Sequence, residues 1–156
     1  MKKYFLCILI LFPLTITSPR SPDLSEYYKF IIKEARYLIC VINSEAIGQS
    51  YEEKLRTGSV VLNRVKDSEF PDSIEEVVCQ SNQFSGINSK YFIIDNVTKK
   101  GQESIRAAWF LLKNGSILPK DVLYFHNPLK ATDHGHVRKF KYKLFFKGDG
   151  HWYFRR

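Results

Sequence analysis

The spacing of apolar residues changes once along this chain, and that change limits the fold more than any other feature. Apolar residues recur at intervals of three and four from Leu24 to Val65 and again from Thr98 to Lys113, whereas after Pro119 they alternate with polar ones. The first spacing places apolar side chains on one stripe of a helix, the second on one face of a strand. An α+β fold is therefore expected, with a helical N-terminal part and a small C-terminal antiparallel β-hairpin or sheet. The chain has 156 residues, enough for one core and too few for two.

Caps and turns mark the boundaries. Ser21-Pro22-Asp23 opens a long first helix that stops near Gly48. Ser50 to Glu53 has the capping-box form, Ser50 as cap and Glu53 reaching back, and the second helix runs to about Lys66. Its buried stripe reads Leu55, Gly58, Ser59, Leu62 and Val65, where small residues admit a close neighbouring helix. A short helix follows from Pro71-Asp72-Ser73 to Val78, and another from Thr98 to Lys113, closed by Asn114-Gly115. Between them, Ser81 to Val97 is a polar, aromatic loop of the kind that lines a site. Val122 to Phe125 reads as a strand. The turn Lys147-Gly148-Asp149-Gly150 joins an alternating segment around Phe140 to Phe146 to a strand at 151–154.

Charge and the N-terminus narrow the partner. The formal charge of +8 points to an anionic one. Residues 20–119 hold 13 basic and 13 acidic side chains, whereas residues 120–156 hold 9 and 3, so the excess gathers in the strand region. Lysines on an edge hairpin guard against aggregation; equally, they form a cationic wall beside an anionic substrate. Lys2 and Lys3, an apolar run from Tyr4 to Ile16, and small polar residues at Thr17 and Ser18 form the three-part pattern of a secretory signal. Residues 1–18 are thus read as a signal peptide, or as an uncleaved anchor because Pro19 follows Ser18, and residues 19–156 as the single functional domain. Export places the protein in the periplasm, the cell wall or outside the cell, and argues against nucleic acid as a partner.

Removal of the signal leaves Cys40 and Cys79. A disulfide between them would close a loop of 38 intervening residues, worth roughly 3 to 4 kcal/mol on a chain-entropy argument. The run Leu38-Ile39-Cys40-Val41-Ile42 is equally readable as holding a buried apolar thiol.

Glu45 is the carboxylate that most suggests chemistry, since it ends an apolar helix in Ile42-Asn43-Ser44-Glu45-Ala46-Ile47-Gly48. Apolar surroundings favour the neutral form of a glutamate, which then can donate a proton to a leaving oxygen. No second catalytic carboxylate stands out in the local pattern, with Glu52, Glu53 and Asp95 the nearest candidates. Asn63, in mid-helix, reads as a tie to a neighbouring loop.

An ordered series of segments carries a resemblance. Glu45-Ala46-x-Gly48, Tyr51-Glu52, Val60-Val61-Leu62-Asn63-Arg64-Val65, Phe70-Pro71-Asp72-Ser73-Ile74, Val77-Val78-Cys79-Gln80, Gln83-Phe84, Ala107-Ala108 and Leu123-Tyr124-Phe125-His126-Asn127-Pro128 follow one another. Together, over about residues 35–154, the chain resembles the cell-wall hydrolase family of SleB-type spore cortex-lytic enzymes. The resemblance implies a lysozyme-like fold, a peptidoglycan substrate cut between N-acetylmuramic acid and N-acetylglucosamine, Glu45 as the catalytic acid, and no cofactor. It further implies lytic transglycosylase chemistry, in which one acid/base group suffices because the C6 hydroxyl of the substrate is the nucleophile; ordinary glycosidases use two carboxyls. Gln83, Phe84, Tyr124, His126 and Asn127 are the candidate substrate-binding residues, Phe84 being equally readable as core. Ile47, Gln49 and Glu53 depart from the common arginine, glutamate and glycine, and His126 replaces a residue that is often aromatic. The basic hairpin would give weak electrostatic retention on an anionic wall.

Two other classes stay open. His126, Asp133, His134 and His136 lie close together, and His134-Gly135-His136 has a spacing that zinc peptidases use. A non-catalytic wall-binding module, with Glu45 structural, is the other.

Overall fold

The computed structural model describes residues 24–129 and 142–156. Four helices, α1 (Leu24–Ala46), α2 (Tyr51–Val65), α3 (Ile74–Cys79) and α4 (Lys99–Asn114), precede three strands, β1 (Val122–His126), β2 (Lys143–Lys147) and β3 (Trp152–Arg155). The strands form one antiparallel sheet in the order β1-β3-β2. The expected hairpin is therefore present, and β1 completes it along the other edge of β3. The α+β architecture is as the change of period required. Among these residues no helix is long and apolar enough to cross a membrane, and the apolar run 4–16 lies outside them.

Helix α2 is the centre of the molecule. It packs against α1, α3, α4 and β1 and is buried on nearly every side, including Glu53, Lys54, Thr57, Asn63 and Arg64. The single stripe read from the sequence was too narrow: Leu62 and Val65, placed on it, are only partly buried. Gly58 explains the close packing, since a Cβ there would stand 2.5 Å from Leu111 Cδ1 and 2.7 Å from Ile42 Cδ1. The main core joins Leu38, Ile42, Val61, Val77, Ala108 and Leu111, while Val60, Val122 and Tyr153 form a smaller one under the sheet.

Polar side chains on α2 fasten it to the sheet. Asn63 Nδ2 donates to the carbonyls of Pro119 (2.8 Å) and Val122 (3.0 Å), the tie expected of a mid-helix asparagine. Arg64 Nε donates to Leu123 O at 2.8 Å, and its guanidinium lies over the rings of Phe70, Phe84 and Tyr124. Burial pulls Arg64 down to about 10 from its ordinary value, which leaves it charged near neutrality.

The caps follow the sequence with one exception. Ser73 and Thr98 accept from Glu76 N and Gly101 N, and Gly115, at φ 84°, ends α4. Ser50 accepts from Glu53 N at 3.2 Å, but the Glu53 side chain does not reach back. It turns inward to Tyr153 and His151, because its place on α2 faces the sheet and not solvent.

The two cysteines are free, Cys40 buried and Cys79 exposed. Cys40 is the buried thiol of an apolar helix face, and burial raises its pKa; the alternative of a Cys40–Cys79 bridge is not what the fold makes.

Candidate active site

Where the end of α1 meets the loop 81–97 and the sheet, the chain encloses a cleft of about 530 Å³, within the range of small-ligand sites. Helix α1 contributes Ser44 and Glu45; the loop contributes Asn82, Gln83, Ser85, Gly86, Ser89 and Tyr91; the strand region contributes Phe125, His126, Asn127 and His151. The loop was expected to line a site and does.

Glu45 is half-buried, at the point where α1 stops. Its Oε1 accepts from Gly86 N at 2.6 Å, which leaves Oε2 as the oxygen free to exchange a proton. The approach requires glycine: a Cβ on Gly86 would stand 2.5 Å from Ser44 Oγ and 2.9 Å from Glu45 Oε1. The cleft that Glu45 lines is mixed, with Tyr91 and Phe125 beside serine, asparagine and glutamine groups of the loop.

The loop is held by its own and neighbouring groups. Asn43 Nδ2 donates to Tyr91 O at 3.0 Å and Asn43 Oδ1 accepts from Ser104 Oγ at 3.2 Å, fixing the loop to α1 and α4. Ser89 Oγ donates to Gly86 O at 2.7 Å. Asn82 takes a left-handed conformation, φ 61°, which asparagine tolerates better than most residues.

Of the predicted binding residues, Gln83, His126 and Asn127 stand around the cleft with Glu45. Gln83 is exposed there. Asn127 Oδ1 accepts from Leu129 N at 2.9 Å, so its amide nitrogen is what it can offer a ligand. His126 stacks on Phe154, with ring centroids 5.1 Å apart.

Phe84 and Tyr124 stand elsewhere. Phe84 is 5% exposed and belongs to the main core. Tyr124 points to the far side of β1, stacked on Tyr142 at 3.9 Å and over Arg64, and burial holds its phenol well above the ordinary range. Its neighbour Phe125 lines the cleft instead, since successive side chains of a strand point to opposite faces.

Glu52 pairs with Arg56 at the surface, and Asp95 accepts from Val97 N and Thr98 N in the turn just before α4. Neither lines the cleft. Sequence reading missed His151 and Gly86. A histidine directly after a Gly-Asp-Gly turn, breaking an apolar strand, was the available signal for the first. His134 and His136 lie outside the described residues; among those described, no group of three or more His, Cys, Asp or Glu could hold a metal ion.

The family model described as Cell Wall Hydrolase matches residues 48–153, which include the loop and strand residues of this cleft. The chain belongs to the cell wall hydrolase family. The match begins three residues after Glu45, so that residue is placed at the site by geometry. The spore cortex-lytic enzyme of Bacillus subtilis (strain 168) is 27% identical over 103 residues, covering 66% of this chain and 32% of that protein. The chain thus spans about a third of that relative's length.

Two solved structures share the cell wall hydrolase's fold. The catalytic domain of the Bacillus cereus SleB protein superposes with a TM-score of 0.64 at 18% identity, covering 80% of this chain and 91% of that one. The catalytic domain of the germination-specific lytic transglycosylase SleB from Bacillus anthracis gives 0.63 at 19%, covering 79% and 93%. The lysozyme-like α+β fold expected from the sequence is the fold found.

Proposed function

We propose that this cell wall hydrolase cleaves the glycan strands of peptidoglycan as a lytic transglycosylase, between N-acetylmuramic acid and N-acetylglucosamine. The observation that carries the reading is the cleft itself: among the described residues Glu45 is the one carboxylate that lines it. Glu45 protonates the glycosidic oxygen as the C1–O bond breaks. The C6 hydroxyl of the same muramic acid attacks C1, and Glu45 takes its proton, giving a 1,6-anhydro sugar. A single group serves as acid and then base, and no water is consumed. The glycosidases that use water generally need a second carboxylate.

The family description and the printed activities of the structural neighbours support a cell-wall polymer as substrate. Its amides and hydroxyls suit the asparagine, glutamine and serine groups of the cleft. We place the protein outside the cytoplasm on the strength of the N-terminal pattern in residues 1–18, with the basic C-terminal part giving weak electrostatic retention on an anionic wall.

Mass spectrometry of purified peptidoglycan after incubation with the protein decides the chemistry. Anhydromuropeptides are expected. Reducing ends alone would replace the transglycosylase by a hydrolase, and cleaved stem peptides sensitive to chelation would point to the His126, His134 and His136 alternative. A wild-type digest with no product would leave a wall-binding module.

A further inference from the structure

Glu53 has no exposed surface, yet it is a charge-bearing residue one shell behind the cleft. Its Oε1 accepts from the Tyr153 hydroxyl at 2.9 Å and lies 3.1 Å from His151 Nδ1, while its Oε2 accepts from Arg56 at 3.2 Å. A carboxylate is an acceptor, so the proton of the His151 ring belongs on Nδ1, pointing at Glu53. The ring's free acceptor is then Nε2. His151 is 3% exposed and still lines the cleft that Glu45 lines. Phe125 meets its ring edge-on at 4.8 Å, which fixes the plane.

The β2–β3 turn is built to bring the histidine there. A Cβ on Gly148 would run into the Glu53 carboxylate, and one on Gly150 into the Gln49 side chain. The turn backbone therefore lies directly on the junction of α1 and α2. Gly148 N also donates to His151 O at 2.7 Å. A buried carboxylate is a costly way to fill a core, and apolar groups of the same volume are often more stabilising. A role in orienting a ring at the cleft accounts for its presence.

We propose that His151 is a substrate-contacting residue of the cleft, its Nε2 accepting a hydrogen bond from a hydroxyl of the bound sugar, with Glu53 as the positioning residue that keeps the proton on Nδ1. The assignment rests on the glycan-cleaving reading of the site. No bond is made or broken at His151; it orients the sugar on which Glu45 acts.

The test is nitrogen-15 NMR of histidine-labelled protein at about pH 8, above the ordinary imidazole pKa, with His151→Gln used to assign the signal. The His151 signal is expected to show a protonated Nδ1 and a bare Nε2. In a Glu45→Gln background, which spares the ligand, a soluble tetrasaccharide of the glycan repeat is expected to move the Nε2 resonance. Glu53→Gln is expected to lose the tautomer preference. On peptidoglycan, His151→Gln is expected to raise KM about tenfold, the loss of one hydrogen bond, with unchanged products; adding Glu53→Gln should cost little more.

A proton on Nε2 in the wild type, an Nε2 resonance unmoved at saturating tetrasaccharide, or an unchanged KM in folded His151→Gln protein each overturns the proposal while leaving glycan cleavage intact. The first two are read in protein with His151 and Glu53 intact, the His151→Gln variant serving only to assign the signal. Wild-type digests without any glycan product remove the functional reading and this proposal with it.

Discussion

Glu53 and Tyr153, 100 positions apart, share a hydrogen bond of 2.9 Å out of reach of solvent. It joins the first turn of the central helix to the central strand, and Thr57 Oγ1 lies 3.4 Å from the same hydroxyl. Tyr153→Phe keeps the ring and removes the donor, leaving a buried carboxylate short of a partner. The loss expected is about 1 to 3 kcal/mol, measured by denaturant unfolding; an unchanged midpoint would mean that the bond contributes nothing.

Glu45→Gln keeps the Gly86 contact, because an amide oxygen also accepts a hydrogen bond, and removes the transferable proton. Release of soluble glycan should fall by about 10² to 10⁴, the span of general acid–base catalysis, with a melting temperature close to that of the wild type. Retention of full activity would remove Glu45 from the mechanism.

Gly86→Ala tests how closely Glu45 must be held. The new methyl meets Ser44 Oγ and Glu45 Oε1 at 2.5 and 2.9 Å, so one of them must shift. A drop in kcat/KM of about tenfold or more is expected from the misplaced carboxylate, without loss of the folded state. Kinetics indistinguishable from wild type would show that the cleft tolerates the shift.

Gly58→Ala acts on the core instead. Its methyl would overlap Leu111 and Ile42 and push α1 and α4 away from α2, costing about 1 to 3 kcal/mol as over-packing does. Thermal and chemical unfolding should agree on a destabilised protein; equal or higher stability would contradict the close helix contact.

Asp149 links acid stability to the turn that carries His151. Its hydrogen bond with Ser50 holds its carboxyl below the ordinary range. A carboxyl with a lower pKa folded than unfolded stabilises fully above the unfolded value, about 3.9, and loses that stabilisation as pH falls through the folded value. Denaturant midpoints of wild type and Asp149→Asn should therefore differ near neutrality and converge below about pH 3.9. Parallel curves throughout would separate Asp149 from the acid limb.

Most of the architecture was legible in the sequence, because spacing and caps act over a few residues. The change of period after Pro119 specified helices before strands. Ser50, Ser73, Thr98 and Gly115 marked ends that the backbone respects, and the size of Gly58 announced a close helix contact. Glu45 could be singled out because it ends an apolar helix.

Which side chains share a cleft was decided by tertiary structure. Strand register placed the candidate Tyr124 toward Arg64 and its neighbour Phe125, which the sequence did not single out, toward the cleft. In the loop, Phe84 went to the core while Gln83 beside it stands at the cleft. Glu53 carried every local sign of a helix cap, and only the seating of the β2–β3 turn on α2 made it a buried partner of His151. Local spacing determines which face of an element a residue occupies; what that face meets depends on groups about a hundred residues distant, whose arrival no nearby pattern encodes.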